Sequence, residues 1–306
     1  MPGQYIQITD VGPRDGLQNH VVSLSAKQRA EMVNDLLHCG LKRIEVGAFV
    51  SAKAVPNMAG SEQIFPLLEE SDCRFQALIV NPKGYQRAKA VGAKHLTMVI
   101  CASEAMNQKN TGTSIVDAMA QTKQMIRQGH DDNITISCCI AVAWHCPFSG
   151  PTPTEQVVNM VRALDEAGAH SIVLADTIGA ANPQQVSDLL ALLTTVVSVD
   201  KLACHFHDTR AMALANVYAA LQHGIRQFDA SLGGLGGCPF APGATGNVAT
   251  EDVVMMLEQM GYQTGIDLNK LMQVSDKVGA WLDDKIGGRA DTWRQLQRHR
   301  KPSMLA

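Results

Sequence analysis

The sequence is poor in charged and aromatic residues, and several common functional signatures are missing from it. Only 18% of its 306 residues are charged and 5% are aromatic, and the net charge is −3. A disordered chain contains fewer apolar residues and more net charge, so the hydrophobic content of 46% excludes that class. No apolar run reaches the ~18 residues that a membrane span needs. Nucleic acid is not an expected partner either, since the only basic stretch, Arg289–Lys301, is interpreted as a solvated helix face.

Targeting and redox signals are also absent. The eight cysteines form no C-x-x-C pair, and most of them lie in apolar, strand-like runs. Residues Met1–Thr9 contain neither the apolar stretch of a signal peptide nor an Arg-rich transit sequence. We therefore expect reduced thiols in a cytoplasmic protein.

One local pattern recurs along the chain and predicts its fold. A helix-like stretch ends in a small residue and Gly, as at Cys39-Gly40 and Ala167-Gly168, and a short apolar run follows. Runs that are apolar at nearly every position are typical of parallel strands buried on both faces. Eight such strands are predicted: Tyr5–Gly12, Arg43–Phe49, Arg74–Val80, His95–Ser103, Ile134–Ala143, Ser171–Asp176, Leu202–Asp208 and Gln227–Gly233. Eight strand–helix units predict an α/β fold of the TIM (β/α)8 barrel type. An open, doubly wound sheet is the alternative, but no dinucleotide fingerprint follows the first strand.

The segments between the strands contain helix start signals. Ser25 to Gln28 resembles a capping box, and Pro82, Pro153 and Pro183 are typical of a first helical turn. Residues from about 265 to 306 exceed the eight units, so we expect additional C-terminal helices there. We expect residues 1–306 to form a single catalytic domain.

Polar side chains at the carboxyl ends of the predicted strands mark the candidate active site. Arg14 and Asp15 directly follow strand one, and Asp176 ends strand six. Glu45 lies inside the apolar run of strand two, where a buried carboxylate must be paired, and Arg14 is its natural partner. The alternative for Arg14 and Asp15 is a structural salt bridge at the barrel mouth.

Two histidines in strand seven indicate a metal site. His205 and His207 are two residues apart, so both imidazoles lie on one face of the strand, about 7 Å apart along it. Two satisfied core histidines are the alternative. With Asp15 and the amide of Asn247 they form a set of nitrogen and oxygen donors without thiolate, which suits Mg²⁺ or Mn²⁺ better than structural Zn²⁺.

A glycine-rich segment follows strand eight. Six glycines occur in the fourteen residues 233–246, which is typical of a functional loop or lid. Cys238 is the only titratable side chain in it. Beside a cation and Arg14 its pKa would fall toward the working range. The alternative is an incidental loop thiol.

These segments together resemble the 3-hydroxy-3-methylglutaryl-CoA lyases, a family of metal-dependent lyases built on a TIM barrel. The resemblance lies in Val11–Asn19, in the His-x-His-Asp of strand seven and in Gly234–Ala241, and extends from about Gln7 to Leu282. It implies cleavage of a 3-hydroxy-3-methylglutaryl thioester of CoA into acetyl-CoA and acetoacetate. It also implies a homodimer or higher homo-oligomer.

The resemblance implies roles for individual residues as well. The implied metal ligands are Asp15, His205, His207 and Asn247, and the residues implied in or beside catalysis are Arg14, Cys238, Glu45 and Asp176. Cleavage requires a base for the hydroxyl proton, either His205 or Asp15, and a fixed positive charge at the enolate, which Arg14 supplies. Cys238 is a candidate acid for the enolate carbon. We also expect Gln18, Ser103 and Thr177, together with Arg14, to contact the substrate.

The sequence departs from the family pattern at several positions. His20 and Val21 replace an acidic and a basic residue, and Gly47, Ala48 and Val173 replace small hydroxyl residues. A substrate carboxylate would lose partners there, at about 1–3 kcal/mol each. A lyase for another branched 3-hydroxyacyl thioester, or a Claisen-type condensing enzyme of the same fold, is therefore the alternative function. A third hypothesis is a catalytically silent barrel that acts as a scaffold.

Overall fold

The computed structural model describes residues 3–237 and 246–297. Eight parallel strands close into a barrel in which each strand pairs with the next along the chain and the last pairs with the first. The strands are β1 (Gln7–Asp10), β2 (Arg43–Ala48), β3 (Arg74–Ile79), β4 (His95–Cys101), β5 (Thr135–Ala141), β6 (Ile172–Asp176), β7 (Leu202–Phe206) and β8 (Gln227–Ala230). The predicted TIM barrel is confirmed. Each strand is somewhat shorter than predicted, and all except β6 lose their last residues to the loops at the barrel mouth.

At least one α-helix follows every strand. The helices are α1 (Ala26–His38), α2 (Ser61–Ile64), α3 (Pro82–Ala90), α4 (Glu104–Thr111), α5 (Ile115–Asp131), α6 (Thr154–Glu166), α7 (Pro183–Leu193), α8 (Ala213–Gln222), α9 (Thr250–Gln259), α10 (Leu268–Leu282) and α11 (Asp291–Gln297). Short 3-10 turns lie at Pro56–Met58, Phe65–Leu67, Val199–Lys201 and Leu232–Gly234, a π-helical turn at Gly12–Gly16, and a small hairpin pairs His145–Cys146 with Gly150–Pro151. Within residues 3–237 and 246–297, no helix has the length and apolarity that crossing a bilayer requires.

The predicted helix starts are confirmed with one exception. Ser25 caps α1, because its hydroxyl accepts a hydrogen bond from Gln28 N and the Gln28 side chain accepts one from Ser25 N. Pro82 and Pro183 are the first residues of α3 and α7. Pro153 precedes α6 instead, since its ψ of 124° is extended and the helix begins at Thr154.

The apolar core lies between the strands and the surrounding helices, not on the barrel axis. The outward-facing side chains of the strands, such as Ile8, Ile44, Ile140 and Leu174, are fully or almost fully buried against the helices. A TIM barrel interior is usually filled by bulky branched residues. Here many inward-facing residues are small or polar (Thr9, Thr97, Ser137, Ser171 and Ala203), and they surround a cavity of about 150 Å³. The barrel therefore contains a cavity along its axis, which we call the axial cavity.

The segment after the eighth strand–helix unit contains the helices α10 and α11, where additional C-terminal helices were predicted. Lys277 of α10 forms ion pairs with Glu31 and Asp35 of α1, at 2.7 and 2.6 Å. These contacts fasten α10 to the outside of the barrel beside the first helix.

Candidate active site

The turn after β1 places Arg14 and Asp15 at the barrel mouth. The buried carboxylate of Asp10 accepts hydrogen bonds from Gly12 N at 2.8 Å and from the Thr250 hydroxyl at 2.6 Å. A β-carbon on residue 12 would lie 2.8 Å from Asp10 Oδ1, so only glycine fits this close approach. Burial raises the pKa of Asp10 to about 6. The Asp10 carboxylate thus fixes the turn that carries Arg14 and Asp15.

Arg14 joins two carboxylates. Its Nε donates to Glu45 Oε2 and its Nη1 donates to Asp15 Oδ1, each at 2.5 Å. The predicted pairing of Arg14 with Glu45 is therefore present. Burial lowers the pKa of Arg14, but the charges of Glu45 and Asp15 outweigh burial and raise this pKa above its ordinary value. The guanidinium therefore stays charged. Its third nitrogen, Nη2, has no hydrogen-bond partner among the described residues, and Arg14 lines the axial cavity.

Asp15, His205 and His207 come together as the sequence predicts. One ligand atom from each side chain lies within 4.8 Å of the others. His205 Nε2 and His207 Nε2 are 4.0 and 3.7 Å from Asp15 Oδ2, and the two rings are 5.2 Å apart. Burial alone raises the pKa of Asp15, but Arg14 and then the two histidines bring it well below its usual range. The three side chains therefore present one carboxylate and two imidazoles to the same point.

Asn247 completes this cluster. It forms an isolated β-bridge with His207, and its Nδ2 donates to Asp15 Oδ2 at 2.8 Å and to Leu235 O at 3.0 Å. Its buried Oδ1 and the buried Nδ1 of His207 have no hydrogen-bond partner within the described part of the chain. An unsatisfied buried amide oxygen is costly, and a divalent cation would satisfy it. The donors present therefore fit a metal ion.

Asp229 is a member of this site that the sequence analysis missed. It lies on β8 directly opposite His205 of β7, and His205 Nδ1 lies 3.2 Å from Asp229 Oδ2. Burial alone lowers the pKa of His205, but the hydrogen bond and charge of Asp229 raise it above its ordinary value. The signal available in the sequence was a single carboxylate inside the predicted strand Gln227–Gly233.

The axial cavity connects the cluster to other predicted residues. Gln18 and Thr177 line it, and the Thr177 hydroxyl accepts a hydrogen bond from Val142 N at 2.8 Å. Val173, which replaces an expected hydroxyl residue, also lines the cavity. So does Cys139, which lies in the apolar run of β5.

Several predicted positions do not line this cavity or lie outside the described residues. Residues 173, 175 and 177 of β6 and its loop face the cavity, so the alternation of the strand turns Asp176 away from it. The Asp176 carboxylate accepts hydrogen bonds from Ala180 N at 2.9 Å and Ala181 N at 3.1 Å.

Ser103 caps α4 and donates to Cys146 Sγ at 2.9 Å. Ala48 is buried at the end of β2, and Cys238 lies outside the described residues.

Comparisons with known proteins agree with this architecture. The model of the HMGL-like family matches residues 5–278. The chain is 41% identical to a hydroxymethylglutaryl-CoA lyase of Pseudomonas mevalonii, over 94% of this chain and 96% of that protein. It is 39% identical to an (R)-citramalyl-CoA lyase of Chloroflexus aurantiacus, over 92% and 91% of the two chains.

A solved structure is similar over nearly the whole chain. It is that of an HMG-CoA lyase from Acinetobacter baumannii in complex with coenzyme A and 3-methylmalate. The TM-score is 0.91 at 37% identity, and the match covers 99% of this chain and 97% of that one. The resemblance found in the sequence motifs is thereby confirmed, and the chain belongs to the HMGL-like family and is a carbon–carbon lyase.

Proposed function

We propose that the chain cleaves 3-hydroxy-3-methylglutaryl-CoA to acetyl-CoA and acetoacetate with the help of a divalent cation. The observation that carries this proposal is the arrangement of Arg14, which donates to Asp15 and Glu45 through two nitrogens and lines a cavity together with two imidazoles. A retro-Claisen cleavage needs this combination of a base and a fixed positive charge. The activities named for the relatives support the same reaction.

We assign the cation to Asp15, His205, His207 and Asn247. Their donors are oxygen and nitrogen without thiolate, which favours Mg²⁺ or Mn²⁺ over structural Zn²⁺. When bound, such a cation polarises the substrate hydroxyl and carbonyl oxygens.

The first chemical step removes the proton of the C3 hydroxyl. His205 or Asp15 accepts it, since both side chains line the cavity. His205 can do so through Nε2 only while that lone pair is not given to the cation. Asp229 orients His205: with its Nδ1–H donated to Asp229, the lone pair of Nε2 points toward Asp15. The C2–C3 bond then breaks, C3 becomes the ketone of acetoacetate, and the bonding electrons pass to the thioester enolate.

Arg14 stabilises that enolate. Glu45 and Asp15 occupy Nε and Nη1, so they fix the plane of the guanidinium and leave Nη2 of this cavity-lining side chain to donate to the substrate. A positioned donor of this kind costs no reorganisation when the negative charge develops on the thioester oxygen. Glu45 therefore acts through Arg14 as a positioning residue.

The last step protonates C2 to give the methyl group of acetyl-CoA. We assign the proton to the thiol of Cys238.

We assign substrate contacts to Arg14, Gln18 and Thr177. Asp176 holds the turn at Ala180 and Ala181, and so positions Thr177 at the cavity wall. Ser103 is buried as the cap of α4, and it supports Met106 and Asn110 of that helix, which line the cavity.

An acyl-CoA thioester is the proposed partner. We also propose that residues 1–306 act as one catalytic domain, in a cytoplasmic homodimer or higher homo-oligomer. Light scattering of the purified protein measures the assembly state directly.

The test of this function is a coupled assay for acetyl-CoA over a panel of 3-hydroxyacyl-CoA thioesters, before and after removal of metal by EDTA. Metal-dependent turnover of the methylglutaryl thioester is expected. Turnover of other thioesters, but not of the methylglutaryl thioester, would refute the proposed substrate and retain the lyase chemistry. No turnover of any thioester, with no divalent cation bound, would favour the scaffold hypothesis.

A second candidate is a lyase for a substrate with a larger apolar branch at C3. A side cavity of about 490 Å³ lies beside Arg14 and Gln18, with Val50, Val55 and Met98 among its walls. Val173 adds another apolar wall to the axial cavity where a hydroxyl residue was expected. A thioester with a six-carbon apolar branch distinguishes the two candidates in the same assay, and a bulkier Ala54→Phe variant should lose that substrate selectively.

A further inference from the structure

A cluster of basic side chains lies at the end of the barrel opposite the candidate active site. Arg43, Arg74 and His95 are the first residues of β2, β3 and β4, and His170 precedes β6 by two residues. The amino-terminal ends of parallel strands meet at one end of a barrel, so these four side chains share its floor. We call Arg43, Arg74, His95 and His170 the floor cluster.

Three members of the floor cluster, Arg43, Arg74 and His95, each contact a neutral partner. Arg43 Nη1 donates to Gln227 Oε1 at 2.5 Å, and His95 Nδ1 lies 2.7 Å from the Thr135 hydroxyl. Arg74 Nη1 lies 2.6 Å from His170 Nε2. Because a guanidinium can only donate, this imidazole nitrogen accepts, and the His170 ring is neutral.

The contact between Arg74 and His170 crosses the floor. Two strands, β4 and β5, separate β3 from β6 in the barrel. The Arg74 side chain therefore extends beneath the barrel axis. Arg43 also lies near the axis, because it lines the lower part of the axial cavity.

The floor cluster has no negative counter-charge in contact with it. Within the described residues, no carboxylate forms an ion pair with Arg43 or Arg74, although nearby lysines are paired, Lys42 with Asp72 at 2.8 Å and Lys201 with Asp165 at 2.5 Å. The charge of Asp229 raises the pKa of Arg43. Asp229 lies farther up the barrel, however, and its carboxylate contacts His205.

The members of the floor cluster disfavour one another's charge. Burial and the positive charge of Arg74 lower the pKa of Arg43. Burial, Arg74, His170 and Arg43 lower the pKa of His95 to about 4. The cluster thus holds two permanent positive charges and two neutral imidazoles. A bound anion would offset the repulsion between the two guanidiniums.

We propose that the floor cluster binds a phosphoryl dianion, independently of the lyase reaction. Two guanidiniums match a dianion in charge, and their N–H groups suit the several oxygens of a tetrahedral phosphoryl group. His95 and His170 add ring nitrogens that become donors when an anion favours their protonation. The dianion comes either from inorganic phosphate or from the phosphate group of a small metabolite.

The test is a calorimetric titration of the full-length protein with inorganic phosphate and, separately, with glycerol 3-phosphate, at an ionic strength matched with chloride. Saturable binding is expected, and the ligand that binds more tightly identifies the source of the dianion. Loss of one charged hydrogen-bonding group weakens such a site by about tenfold or more, so Arg74→Gln should show that loss. Lys42→Gln is the matched control, since Lys42 lies beside Arg43 but is paired with Asp72, and its affinity should equal that of the native chain.

A second measurement needs no variant. Nitrogen-15 spectra of the native protein should show the imidazole signals of His95 and His170 shifting on addition of phosphate. The proposal is overturned if neither ligand binds saturably up to about 50 mM. It is equally overturned if Arg74→Gln, shown to be folded by circular dichroism, binds as tightly as the native chain while the two imidazole signals stay unmoved.

Discussion

Asp229 on β8 and His205 on β7 are direct neighbours in the barrel, and Asp229 Oδ2 lies 3.2 Å from His205 Nδ1. A carboxylate in this position fixes the tautomer of a metal-ligating imidazole and raises its basicity. The neighbouring strand thus determines which nitrogen of His205 faces the cluster of Asp15 and His207.

The first prediction concerns this pair. The Asp229→Asn substitution should weaken Mn²⁺ binding by about 10–100-fold, because the amide no longer fixes the His205 tautomer. Titration followed by electron paramagnetic resonance measures the affinity. Asp188→Asn, an exposed carboxylate on α7, is the control and should bind Mn²⁺ as the native chain does. An unchanged affinity in Asp229→Asn would remove the orienting role.

A second prediction separates the structural and catalytic parts of Arg14. Arg14→Met should reduce kcat by at least about 10²–10³-fold, since the enolate loses its positive charge. It should also destabilise the fold by about 3–5 kcal/mol, because Glu45 is left buried and unpaired.

The double variant Arg14→Met with Glu45→Gln distinguishes these effects. Removing the unpaired charge should restore the free energy of unfolding in urea while kcat stays low. Recovery of turnover in the double variant would contradict the role of Arg14 at the enolate.

A third prediction concerns metal binding without any reference to turnover. Mn²⁺ at about 100 times its dissociation constant should stabilise the native chain by about 2.7 kcal/mol, which calorimetric unfolding detects as a higher Tm. His207→Ala removes a ligand and should abolish this gain. Gln7→Ala, at the other end of the barrel, should retain it. An equal gain in all three proteins would place the cation elsewhere.

The fourth prediction is a pH dependence of stability. The pKa of Asp10 is about 6 in the folded protein against an ordinary value of 3.8, because burial disfavours the charged form. The folded state therefore binds more protons than the unfolded state between these values. The stabilisation that protonated Asp10 supplies is complete below about pH 4 and is lost as the pH rises through about 6.

Comparison with Asp10→Asn isolates this group from the other titrating residues. The free energy of unfolding of the native chain, relative to the variant, should fall by about 2 kcal/mol between pH 4 and pH 7. Urea unfolding over this range supplies the values. A difference that stays constant with pH would mean that Asp10 is charged in the fold at all these values.

The strands were predictable because their two buried faces require apolar residues at nearly every position. His205 and His207 were predictable because a spacing of two residues places both imidazoles on one strand face. The pairing of Arg14 with Glu45 followed from the cost of burying an unpaired carboxylate. In each case the local sequence contains the physical constraint.

The remaining features depend on relationships between distant segments. Asp229 was missed because its partner lies on the adjacent strand, and a single sequence gives no strand register. That Asp176 faces away from the cavity was not visible either, because the pairing of β6 with β5 and β7 decides which face of the strand points inward. The unpaired charges of the floor cluster were not visible either, since Arg74 and His170 are far apart in the sequence and meet only across the barrel.

Product analysis in D₂O shows whether the chain cleaves its substrate through an enolate. The native chain, loaded with Mg²⁺ or Mn²⁺, should convert 3-hydroxy-3-methylglutaryl-CoA into equal amounts of acetyl-CoA and acetoacetate. The acetyl methyl group should carry one deuterium, because an enolate is protonated from solvent-exchanged acid. An unchanged substrate, or acetyl-CoA without deuterium, would contradict the proposed cleavage through an enolate.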